Sequence, residues 1–181
     1  MLNKILVFTA LALGIQAAAT PKPTDSARFS DAERQALIDD GWTIVNGTGK
    51  PYYTGDEKLA KREAGGVYMC IHADWKGDCG YKVHALESCV QLGAPWYHQI
   101  SAIGPDQLTL LSLFKDNNCA DRDWVHRYCG NGGPCLPTVY YPGVRDLSKH
   151  QFSAARNAGN YNDQIGSFWV EWTTLIPEKR T

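Results

Sequence analysis

Five histidines, His72, His84, His98, His126 and His150, are the side chains best suited to moving protons near neutral pH. None stands at a spacing that fixes it against a partner. The chain has no His-Glu-x-x-His helix, no Gly-x-Ser-x-Gly elbow and no phosphate-binding loop. The nearest approach to a hydrolytic set is Glu87 with His126 and Arg127: a base, an acid and a cation to hold phosphate, as a secreted ribonuclease would need. Nothing in their separation brings those three together. Six cysteines, Cys70, Cys79, Cys89, Cys119, Cys129 and Cys135, are the other reactive groups. An even set in an exported chain favours three disulfides over a thiolate nucleophile, with the pairing left open. Oxidised sulfur does not ligate zinc, so Cys70 and His72 do not read as a zinc pair.

The elements that must position these groups fall into three parts. Residues 1–19 read as a secretory signal, with Lys4 before an apolar run from Ile5 to Leu13 and Ala17-Ala18-Ala19 as the small-residue cleavage site. That run is about half the ~18 residues that a membrane span requires, so no membrane span is expected. Residues 20–62 contain no cysteine and end on Lys61-Arg62. Two adjacent cations on an exposed backbone suit a protease pocket lined with carboxylates. With Glu63-Ala64 after them, they resemble the processing site of secreted fungal precursors cut by a kexin-type protease. The mature chain, residues 63–181, would then be trimmed to begin at Gly65. Within the pro-segment, Ser30-Asp31-Ala32-Glu33 is a capping box that starts a short helix ending at Gly41. Asn46-Gly47-Thr48 is a glycosylation sequon with the composition of a turn. Trp42, Ile44 and Val45 either pack transiently on the mature domain or belong to a polar spacer.

Beyond the dibasic pair, valine, tyrosine, tryptophan and threonine occur in short runs broken by Gly, Pro, Asn and Asp. This predicts an all-β, disulfide-stapled sandwich, with a turn or two of helix over Gln151 to Ala158. The formal net charge of −1 and the lack of a basic patch argue against nucleic acid as the main partner.

Two segments in each half carry a resemblance. Cys70-Ile71-His72-Ala73-Asp74-Trp75-Lys76-Gly77 resembles the first hairpin of a βγ-crystallin Greek key, in which an aromatic covers the turn and Gly takes positive φ. Cys70 stands where the family has its first aromatic. Trp96 to Ile103 resembles the closing strand of that unit. In the second half Phe114 starts the pattern, Cys119 replaces the second aromatic, and Asp121 falls where Gly belongs. Tyr161 to Phe168 fits the closing segment. The resemblance, from Val67 to about Trp172, implies a βγ-crystallin-like Greek-key sandwich of two motifs. The family often binds calcium through paired Asn/Asp and a Ser/Thr-Ser. By that pattern the first half has lost its site, with Tyr97 and His98 in place of the acidic pair and only Ser101 kept. The second keeps Asn162, Asp163 and Ser167, but Gly166 lacks the hydroxyl; one calcium site is implied there, and otherwise the pair is a turn.

Alternation in Phe168-Trp169-Val170-Glu171-Trp172 predicts Phe168, Val170 and Trp172 on one face, with Trp169 turned outward unless a second layer covers it. An outward Trp169, together with Tyr140 and Tyr141, would suit stacking on a sugar or anchoring a protein. The expected function is secreted and non-enzymatic recognition of a host or competitor protein or a cell-surface glycan, of the fungal effector or antimicrobial and killer-toxin kind. The alternative is a secreted hydrolase of RNA or glycan using histidine acid–base chemistry.

Overall fold

The computed structural model describes residues 28–50, 64–120, 136–153 and 158–174. Among these residues, eight strands make two four-stranded antiparallel sheets. In the first sheet β1 (Thr43–Thr48), β3 (Lys76–Val83), β2 (Gly66–His72) and β5 (Ala102–Pro105) lie side by side in that order. In the second the order is β4 (Ser88–Gln91), β8 (Ser167–Trp172), β6 (Thr109–Phe114) and β7 (Thr138–Tyr140).

The two halves exchange strands. β4 follows β3 in the chain but pairs with β8 in the other sheet, through Cys89↔Trp169 and Val90↔Phe168. In return, Val144 of the second half bridges Ile103 of β5. A local two-fold relation runs through the crossing point. The His98 N–H donates to the Ile165 carbonyl and the Asp163 N–H to the Ile100 carbonyl, both at 3.1 Å. Both residues are left-handed, with φ 55° and 52°. The turns that follow β2 and β6 match in the same way, with Trp75 at φ 58° and Cys119 at φ 50°. Strand order, exchange and matched turns make this a βγ-crystallin-like sandwich of two Greek keys.

The core fills the space between the sheets, where Met69, Ile103, Leu111, Leu113, Phe168 and Val170 are wholly buried. β2 is buried on both faces because Trp75 folds back over its outer side and stacks on Tyr68, centroids 5.6 Å apart. Gly77 at φ 75° lets the chain pass beneath; a Cβ there would stand 2.5 Å from the His72 ring. Cys70 is bridged to Cys79 directly across the β2–β3 pair, so a covalent link stands at the position of the aromatic usual in the pattern. Cys89 is bridged to Cys119.

Some expectations hold and others change. Residues 28–48 pack on the sandwich, through Trp42, Ile44 and Val45 among others, rather than forming a polar spacer. Ser30 caps α1 (Asp31–Asp39) with both halves of its capping box formed, and the helix ends at Asp40 and Gly41. β1 then adds to the free edge of β3 over six paired residues, Thr43↔Tyr81 to Thr48↔Lys76. The sequon is therefore strand, not turn; Asn46 is exposed but accepts from the Arg34 guanidinium at 3.2 Å. No helix forms at 151–153, where Phe152 instead bridges Gly159, and the local helical turn lies earlier, at Leu147–Lys149. Lys61 and Arg62 lie outside the described residues, as do Cys129, Cys135, His126, Arg127 and the whole signal region.

Candidate functional site

The arm formed by residues 28–48 builds the most chemically distinctive surface. Phe29, Leu37 and Trp42 enter the main core, each less than a tenth exposed. The Phe29 ring meets Trp96 edge-on at 4.8 Å, and Trp42 lies 5.4 Å from the same indole. At about 1.5–3 kcal/mol per fully buried large side chain, these three anchor the arm. Gly80 of β3 allows the approach, since a Cβ there would stand 2.7 Å from Trp96.

Electrostatics fix the arm's register. Asp78, the third residue of β3, has no exposed surface. One carboxylate oxygen accepts from the Arg34 guanidinium and the other from the Phe29 amide. Lys82 pairs with Asp40 at 2.9 Å. His84 lies under the arm between Trp42 and Phe168, at 5.4 and 5.5 Å. Burial pushes its pKa down to about 4, helped by Lys82 and opposed by Asp40. Grooves of about 610 and 450 Å3 run beside the helix and share Leu92, Gly93 and Ala94 as a common wall.

The residues named for calcium do not gather into one set. Asn162 donates to Asp163 at 2.7 Å, whereas the buried Ser167 hydroxyl donates to the Asp116 carbonyl and accepts from the Cys119 amide. Asp163 meets the other half instead. The Ser101 hydroxyl stands 3.1 Å from Asp163 Oδ1 and 3.0 Å from the Ile71 carbonyl. At the two-fold related position, His98 Nε2 contacts the Lys115 carbonyl at 3.0 Å. The pairing of Asp163 with Ser101, 62 residues away, follows from the strand exchange and is invisible when each half is read alone.

The aromatic surface follows expectation at Trp169 and departs from it at Trp172. Trp169 does face away from Phe168 and Val170, but Phe114, Leu136 and the Cys89–Cys119 bridge form a second apolar layer over it. Trp172 lies past the end of the core and is 55 % exposed. Tyr140 is exposed and Tyr141 half-buried. The four described histidines lie in separate settings: His84 under the arm, His98 stacked on Tyr97, His150 against Phe152, and His72 beside the Gly77 turn. Glu87 is exposed. Among the described residues, no three His, Cys, Asp or Glu side chains cluster as a metal site, and no helix is long and apolar enough to cross a membrane.

Sequence reading missed Asp78 and Arg34. The signal available for Asp78 was an acid inside a strand-like run, Gly-Asp-Cys-Gly. For Arg34 it was a cation three residues before Leu37, on the same helix face.

No protein-family model matches the chain, and no curated protein matches it in sequence. A solved structure described as "Evolution of the eye lens beta-gamma-crystallin domain fold" is 18 % identical, with 72 % of this chain and 99 % of that one covered at a TM-score of 0.42.

Proposed function

We propose that the chain is a secreted, non-enzymatic recognition protein of the fungal effector or antimicrobial and killer-toxin kind, made as a precursor and cut after Arg62. The observation behind this reading is a division of labour along the chain. The cysteine-bearing region closes into a bridged sandwich, and a cysteine-free arm from before the dibasic pair lies across one face of it. Disulfides suit an oxidising route and an extracellular life. Exposed Trp172 and Tyr140 suit contact with a protein or a glycan.

Two measurements test it. The intact mass of the secreted product reports the cut, any glycan at Asn46 and the oxidation of six cysteines together. Incubation with labelled RNA and with cell-wall polysaccharide should release no fragments; turnover that is lost in histidine variants would establish the hydrolase instead.

We further propose a low-affinity calcium site at Asp163, because the Ser101 hydroxyl stands within hydrogen-bond reach of both its carboxylate and the Ile71 carbonyl. Three protein oxygens fall short of the six to eight that calcium takes, so water would complete the shell. Calorimetric titration should show millimolar binding that Asp163→Ala abolishes. No heat at millimolar calcium would end the idea.

A further inference from the structure

The residues of β3 dictate what can lie against them. Asp78 is a fully buried carboxylate, and both of the donors described above come from the arm. A charge removed from water needs such donors, so the surface cannot stay dry and unoccupied. Trp96 is 2 % exposed, and its indole N–H has no acceptor among the described residues. Around these two groups lie a strand edge able to pair six residues and the apolar wall shared by the two grooves. A buried anion, an unused donor, an apolar wall and a ladder that β1 fills together describe a receptor for extended polypeptide.

The arm is held there by these contacts and by proximity. No cysteine precedes Cys70, so no disulfide ties it down, and its link to β2 contains Lys61-Arg62. A short tether keeps the effective concentration of such a segment on the order of millimolar. Once the link is cut, that concentration falls to the true one, on the order of 10⁶-fold lower in nanomolar solution.

We propose that the β3 edge with Asp78 is a recognition surface for an extended, arginine-bearing polypeptide segment, filled in the uncut chain by residues 28–48 and freed after cleavage at Arg62. The inference rests on the precursor reading given above. A partner would add a strand to β3, set a guanidinium on Asp78 and offer a carbonyl to Trp96. Arginine suits this anion better than lysine because its planar fork spans a carboxylate.

The full oxidised chain, nicked at Arg62 with a dibasic-specific protease, supplies the test. On dilution to nanomolar concentration, native mass spectrometry should show the arm leaving, while near-ultraviolet circular dichroism shows the rest still folded. A synthetic peptide of residues 28–48 should rebind. Its Arg34→Ala form should bind at least tenfold more weakly, and its Arg34→Lys form at an intermediate level. Three results would overturn the proposal: an arm that never dissociates, a remainder that unfolds without it, or equal binding of the wild-type and Arg34→Ala peptides. A secreted product found uncut in culture would refute the processing reading alone, since nicking in vitro still interrogates the surface.

Discussion

Asp78 lies within a strand with no exposed surface, where a charge survives only beside donors. Truncating Arg34 leaves that charge buried with the Phe29 amide as its remaining named donor. Arg34→Ala should therefore destabilise the uncut chain by about 3 kcal/mol in urea unfolding, and adding Asp78→Asn should restore part of the loss. His84 gives a second residue-scale expectation. Its folded pKa of about 4 lies below the ordinary 6.5 because burial disfavours the charged ring, with Lys82 adding repulsion against the weaker pull of Asp40. The unfolded chain binds the proton more readily, so this stability is complete above pH 6.5 and drains away as pH falls towards 4. The full effect is about 3 kcal/mol. Urea midpoints at pH 7.5 and 4.5 should differ accordingly, and His84→Phe should flatten the difference.

At the scale of elements, β1 depends on a close backbone approach. A Cβ at Gly47 would lie 2.4 Å from the Trp75 carbonyl and 2.8 Å from Cys79 Sγ. Gly47→Val should push β1 off β3, cost roughly 1–3 kcal/mol, and open residues 28–48 to limited proteolysis. Local chemistry explains which elements were legible. The capping box at Ser30 and Glu33 and the turn around Trp75 and Gly77 act within a few residues, and both form as their spacing predicts. β1 was not legible because Thr-Ile-Val-Asn-Gly-Thr is short, broken by glycine, and stabilised by a strand some 30 residues ahead. The meeting of Asp163 with Ser101 was hidden for the same reason. Trp169 was read correctly as facing away from the core, but its cover, Leu136 with the Cys89–Cys119 bridge, is assembled from distant chain.

At the scale of the whole molecule, the described residues carry two disulfides, one across β2 and β3 of the same sheet and one from the exchanged β4 to the turn after β6. Cys89 and Cys119 lie 30 residues apart, whereas Cys70 and Cys79 close a loop of 9. Loop entropy makes the first worth about 3.5 kcal/mol and the second about 2.5, so the double variant Cys89→Ala/Cys119→Ala should lower the urea midpoint further than Cys70→Ala/Cys79→Ala. The sandwich itself was legible from short strands and paired turns. The arm's place in it was not, because composition separates residues 28–48 from the cysteine-bearing region while packing joins them. Whether the arm is a separable layer over a self-sufficient sandwich is measured most directly by hydrogen exchange on the chain before and after nicking at Arg62, at nanomolar concentration. The expected result is lost protection at the Lys76–Val83 amides that pair with β1, with those facing β2, and β2, β5, β6 and β8, still protected. Unchanged protection of β3, or its loss across every strand together, would contradict the account.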